Sequence, residues 1–373
     1  MSAKNHKFAG LVLREHGEQM RVEALSLREP RGVEVLVKMR AAGVCHSDLH
    51  ARDGGWSTPM PTVLGHEGAG VVVAVGDAVT SVNVGDHVML SWVAPCRNCV
   101  PCAAGRGWAC IAGNDFSGTT AAASELSIQD GHTGGVNNYL GVGSFAEYSL
   151  LSETAVVAIP DAVPFDVAAL MSCSVATGVG AVFNDAQVTA GSRVVVFGAG
   201  GIGLSIVMAC RLAGASQVIV IDVTARKLET AREIGATTTI NAIETDPVQA
   251  VNEILSLGAD IVFDAVGRIS TMEQALQVLS RGGSCVLVGM PAEGERLSID
   301  PLSLSSMGQT IVGSNFGSTV PLRDFPKLCA MYLAGQLPVE KLMSEHITLD
   351  GVEAAFERMK QGEGTRAVVS YAA

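Results

Sequence analysis

The chain has 373 residues, enough for two domains with separate cores. Its 25 Lys and Arg stand against 37 Asp and Glu, a net charge of −12 with no basic block or stripe, which argues against a nucleic-acid partner. Glycine is abundant (42 residues) in a sequence that is 48% hydrophobic, a balance that fits an α/β protein with many tight turns and not a disordered chain.

In chain order, the start MSAKNHKFAGLVLREHG has no apolar core and no cleavage pattern, so no signal peptide is expected and the protein is placed in the cytoplasm, off the membrane. The first half reads as strands: 33–44, 68–76 and 85–93 are β-branched runs cut by glycine and aspartate. No long helix is expected before about residue 165. Cys45, His66 and Glu67 fall in the loops GVCHSDLH and GHEGAG, and Cys173 follows much later. A lone Cys or His is an ordinary structural residue. Together, two Cys and a His would leave the open fourth position that a catalytic zinc needs. Spacing alone leaves both readings standing.

The run CRNCVPCAAGRGWAC sets Cys96, Cys99, Cys102 and Cys110 in a C-x2-C-x2-C-x7-C pattern. Four thiolates close the tetrahedral shell of Zn²⁺ and leave no place for substrate, so a structural zinc is expected. A disulfide knot conflicts with a reducing compartment. An iron–sulfur cluster shares part of the spacing, but the closing Cys-Pro of many such runs is absent. The remaining Cys210, Cys285 and Cys329 read as small core residues.

Near Val175 the pattern changes. Residues 176–187 read as a helix, and six strands then alternate with helical segments at 193–197, 217–222, 237–242, 260–267, 284–290 and 310–314. Such alternation predicts a doubly wound parallel sheet. The expected organisation is α/β. A β-rich domain, 1–174 with 317–373, is expected to carry the metal ligands, and a Rossmann domain to span 175–316. The uncharged run 194–210 is slightly short for a membrane span and is better explained as strand, glycine turn and buried helix. Within it, Gly198, Gly200 and Gly203 form G-x-G-x-x-G directly after RVVVF, with Gly201 between, which is the context a dinucleotide turn requires. Asp222 closes the next strand, where a carboxylate holds ribose hydroxyls and repels a 2′-phosphate, so NAD is favoured over NADP. Arg226 and Lys227 lie close enough to soften that choice.

These motifs, with MSCSVATGVG and the late TRAVVSY, follow one another in an order that resembles the zinc-dependent medium-chain alcohol dehydrogenases over about Phe8 to Tyr371. The stretch between Cys110 and Tyr139 is similar to that of the long-loop, dimeric branch, so a homodimer is implied, with 305–315 as a possible paired edge. The resemblance implies that the β-rich domain is GroES-like and catalytic, and it implies two zinc ions per chain and NAD. Cys45, His66 and Cys173 would bind the catalytic zinc, Glu67 would sit behind it as a transient ligand, and Asp48 would orient His66. Ser47 would take the substrate hydroxyl proton and His50 would end the relay. Thr177 would pack on the nicotinamide, and His46 and Arg366 would approach the pyrophosphate. Trp56, Trp92, Tyr139 and Leu140 would line the alcohol pocket.

The implied reaction is reversible oxidation of a primary alcohol, aryl or allylic, to its aldehyde. Two other readings stand beside it. One is a glutathione- or other thiol-dependent formaldehyde dehydrogenase, disfavoured because Asn114 and Asp115 stand where those members carry a cation. The other is a zinc- and NAD-binding protein without turnover.

Overall fold

The computed structural model describes residues 5–113, 128–129 and 135–372. The chain divides into two compact units. The first runs through Cys173 and takes in Val320–Ala334 and Met343–Ala373; the second is Ser174–Thr319 with Gly335–Leu342. The return segment 335–342 therefore groups with the second unit, where Leu337, Val339 and Leu342 are buried.

The first unit is built from strands β1 (Asn5–Leu13), β2 (Arg21–Arg28), β3 (Glu34–Gly43), β4 (Thr62–Val63), β5 (Glu67–Val75), β6 (His87–Leu90), β7 (Ile128–Gln129), β8 (Gly135–Asn138), β9 (Tyr148–Ser152) and β10 (Val156–Ala158). The second contributes β11 (Arg193–Phe197), β12 (Gln217–Asp222), β13 (Thr238–Asn241), β14 (Ala259–Asp264), β15 (Leu279–Leu287) and β16 (Thr310–Gly313). The chain ends in the first unit with β17 (Met343–Ile347) and β18 (Arg366–Ser370).

In the first unit β1, β2, β7, β8 and β4 close a barrel, while a seven-stranded sheet runs β10-β6-β5-β3-β18-β17 with β9 also on β3. β3 is the hub. Its register sets Gly43 opposite both Glu67 of β5 and Val368 of β18, which brings sequence-distant ends to one place. Before residue 165 the described helices are short, His46–Arg52 being the longest.

The second unit is one parallel sheet in the order β13-β12-β11-β14-β15-β16. β11 and β12 are apolar runs buried on both sides, as a sheet covered by helices on both faces demands. Val195, Phe197, Ile219, Ile221 and Val262 form the centre of its core. Strand order reverses between β11 and β14, and the turn after β11 opens at that switch point. Arg193 pins the start of β11 by giving its amide and guanidinium to Asp260 of β14. The uncharged run 194–210 lies in strand β11, a turn and helix Gly201–Leu212, as its sequence predicts. A helical run, Phe165–Asp185, is long and apolar enough to cross a membrane by composition, but 89% of its apolar window is buried inside the protein, so it is a core helix.

Candidate functional site

Cys45 follows β3 and caps helix His46–Arg52. Asp48, fully buried one turn later, organises the loops around it. Its carboxylate accepts the Cys45 amide at 3.2 Å, the Gly65 amide at 3.0 Å and His66 Nδ1 at 3.0 Å. Because a carboxylate can only accept, Nδ1 carries the His66 proton and Nε2 is left for a metal. The ligand atoms of Cys45, His66 and Glu67 all lie within 4.8 Å of one another. Cys173 stands outside that tight trio but is hydrogen-bonded to Cys45. That hydrogen bond holds the Cys45 thiol well below its ordinary value, and the same bond together with burial pushes Cys173 well above. Two thiols and an imidazole, all buried, are a ligand set that fits a zinc ion.

Glu67 is paired with Arg366 of β18, both side chains being buried (0% and 5% exposed). Burial pushes the Glu67 carboxyl up to about 7 against the pull of Arg366. The other carboxylate oxygen, Oε1, is buried with no partner among the described residues. Gly43 makes room for this pair, since a Cβ there would stand 2.0 Å from Glu67 Oε2. Arg366 is thus held by Glu67 and by Cys45, a role that motif matching did not suggest.

Ser47 Oγ lies 3.8 Å from Cys45 Sγ. Ser47 and His50 are three residues apart on one short helix and so share a face. Tyr139, 3% exposed, donates its hydroxyl to the Ser47 carbonyl at 3.2 Å and sets its ring edge-on to His66. Burial and the Asp48 charge raise its phenol well above the ordinary range, so it stays a donor. Leu140 sits beside it with φ of +50°, a left-handed conformation costly for a non-glycine residue. Trp92 is buried after β6, whereas Trp56 lies against His50. His46 is exposed.

The second cluster is Cys96, Cys99, Cys102 and Cys110, whose sulfurs all lie within 4.8 Å of one another. Cys99 and Cys110 are 3.8 Å apart. A tetrahedron with Zn–S of about 2.3 Å has edges of about 3.8 Å. Backbone amides of Cys102 and Ile111 draw Cys99 down to about 6, which favours the thiolate a metal needs. All nine cysteines are free. The two clusters are a catalytic and a structural zinc arrangement. Elemental analysis of Cys99→Ser is expected to find one zinc per chain where the parent holds one for each cluster; an unchanged count would remove the lobe as a zinc site.

In the second unit Gly198 takes φ of +95°, and a Cβ on Gly203 would meet the Gly198 carbonyl at 1.8 Å. The space before Gly200 is open, with nothing within 4 Å of a Cβ there. Helix Gly201–Leu212 begins at this opening and presents unpaired amides, the cradle a pyrophosphate requires. Asp222 at the end of β12 accepts the Ala199 amide at 2.7 Å and the Thr224 amide at 2.9 Å, which fixes its carboxylate beside the turn. Lys227 is half-buried on the following helix, and Thr177 is buried in Ala176–Gly180. Asp222→Gly is expected to shift the NAD-to-NADP affinity ratio toward NADP by about ten- to a hundredfold, the worth of one or two charged hydrogen bonds. Titration of both reduced coenzymes checks it, and an unmoved ratio would remove Asp222 as the selector.

Two family models cover most of the chain: an alcohol dehydrogenase GroES-like domain over residues 31–161 and a zinc-binding dehydrogenase domain over 201–334. The chain is 35% identical, over 96% of its length and 98% of the relative's, to S-(hydroxymethyl)glutathione dehydrogenase of Paracoccus denitrificans. It is 34% identical, with a TM-score of 0.93 over 99% and 100% of the two chains, to an alcohol dehydrogenase zinc-binding domain protein of Burkholderia ambifaria. Benzyl alcohol dehydrogenase of Acinetobacter calcoaceticus matches at 34% identity and a TM-score of 0.91 over 98% and 100%. With its cysteine–histidine centre, its four-cysteine cluster and its dinucleotide turn, the chain belongs to the zinc-binding alcohol dehydrogenase family, as an oxidoreductase that uses zinc and NAD.

Proposed function

We propose that the protein oxidises a primary hydroxyl group to the carbonyl, reversibly, with NAD⁺. The observation that carries this reading is the Cys45–His66 centre with Ser47 beside it and His50 on the same helical face. When bound, zinc supplies Lewis acidity to the hydroxyl oxygen and NAD⁺ accepts the hydride. Ser47 receives the hydroxyl proton, His50 takes it onward, and Asp48 holds His66 in the ligating tautomer. Cys173 completes the Cys2His ligand set.

The likeness to S-(hydroxymethyl)glutathione dehydrogenase favours an S-(hydroxymethyl) thiol adduct over a simple aryl alcohol as substrate. Such an adduct is itself a primary alcohol, and its oxidation gives the thiol formate ester with one NADH and one proton. Asn114 and Asp115, which argued against an anionic adduct, lie outside the described residues. A second reading, an aryl or allylic alcohol, draws support from the likeness to benzyl alcohol dehydrogenase and from buried Trp92, Tyr139 and Leu140. Measured kcat/KM for S-(hydroxymethyl)glutathione, benzyl alcohol and octanol decides between them. A lead for the first supports the adduct, a lead for the second supports the aryl reading, and a lead for octanol removes both.

A homodimer is part of the same reading. β16 is the outer strand of its sheet, and Leu302 and Ile299 nearby are exposed, so a second copy could add strands across a two-fold axis. Sedimentation equilibrium at the mass of one chain would remove it. A cytoplasmic location belongs to the same reading, and secretion of the native protein would count against it.

A further inference from the structure

The His50 imidazole is stacked on the Trp56 indole, with ring centroids 5.0 Å apart and planes 22° from parallel. The backbone between them is closed on itself. The Asp53 amide donates to the Leu49 carbonyl at 2.9 Å and the Gly55 amide to the His50 carbonyl at 2.8 Å, which returns Trp56 over the His50 ring. A Cβ on Gly55 would stand 3.2 Å from His50 Nδ1, so backbone also crowds the ring edge. Trp56 is 6% exposed and cannot swing away without leaving a hole.

Two forces act on the ring's proton affinity. Burial lowers it, while the charges of Cys45 and Asp53 raise it, and burial prevails. A protonated ring would gain cation–π attraction to the indole, which opposes burial in the same direction as those charges.

We infer that Trp56 is a positioning residue for His50: its indole fixes the orientation of the imidazole and shields it from water, so that the ring is presented as a neutral proton acceptor. This rests on the reading of His50 as the end of the proton path. The indole acts through His50 and need not touch the substrate. Hydroxyl oxidation requires the neutral ring, so kcat rises with pH through the His50 titration. A shielded ring places that rise at lower pH than a solvated one.

Holoenzyme, His50→Gln, Trp56→Phe and Trp56→Leu test it. In the parent, indole emission should change with pH as the contacting ring gains its charge, and His50→Gln should abolish that change. The His50 ring-proton resonance, assigned by its loss in His50→Gln, should show an indole ring-current shift. In Trp56→Leu that shift should vanish, the titration should move up in pH, and kcat on the high-pH plateau should fall roughly tenfold from lost orientation. Trp56→Phe should keep most of both. A parent whose emission and resonance show no coupling, or a Trp56→Leu titration that stays in place, overturns the assignment, and the first of these needs no Trp56 variant to fold. If the resonance moves but the kcat profile does not, Trp56 still holds His50, and it is the relay reading that fails.

Discussion

Arg366→Leu is expected to destabilise the protein by about 3–5 kcal/mol, the cost of leaving a buried partner without its countercharge. Arg366 and Glu67 lie at neighbouring positions across three strands, where β18 meets β3 and β3 meets β5. Both side chains are buried, and burial already raises the carboxyl to about 7 with the guanidinium in place. Without Arg366 the carboxyl must take up a proton or find another cation. Its oxygen already lies within 4.8 Å of the Cys45 and His66 ligand atoms, so a freed Glu67 would also compete for the metal. Activity should therefore fall along with stability. The double variant Glu67→Gln/Arg366→Leu should recover much of the lost stability, because an amide is cheaper to bury than a charge. Urea unfolding midpoints of the parent, both single variants and the double variant check this. An Arg366→Leu midpoint shift worth less than about 1 kcal/mol would mean the pair is solvated and not the buried contact described above.

That pair also marks where sequence reading stops. The second unit is legible because its strands are short apolar runs between helices of a different period, and β11 to β16 all fall where alternation predicts them. The glycine turn and Asp222 were legible because the motif demands a strand before it and a helix after it. The first unit was less so. β2 is not legible because only Leu25 and Leu27 of it are fully buried, among mostly polar neighbours. Strands of two residues such as β4 and β7 carry no period at all. The lobe was legible in its spacing, since its four sulfurs come from one local turn. The Arg366–Glu67 contact joins positions brought together only by β3 pairing, and the vacant space at Gly43 has no mark in the sequence. Trp56 was assigned to the alcohol pocket by its place in the family pattern, whereas its contact with His50 depends on how one turn closes.

Ser47→Ala is expected to lower kcat and kcat/KM together by about 10²- to 10⁴-fold, the usual worth of a positioned proton-transfer group. That is about 3–5 kcal/mol of lost transition-state stabilisation. The structure makes the variant a clean one. Ser47 lies in the first turn of helix His46–Arg52, and alanine favours helix more than serine does. The contact from Tyr139 goes to the Ser47 backbone carbonyl, which alanine retains. Cys45 is capped by Asp48 and not by Ser47, so the ligand geometry should survive and both zinc ions should stay bound. An equal fall in the two kinetic constants would locate the loss in the transition state, whereas a rise in KM alone would make Ser47 a binding group. Ser47→Thr keeps the hydroxyl and should keep most of the rate. His50→Gln should lose less, because water can replace the far end of a proton path more easily than its first acceptor, and the part it does lose should carry the pH dependence. If Ser47→Ala keeps full activity with both zinc ions present, the hydroxyl proton leaves by another route and Ser47 serves only as a helix residue.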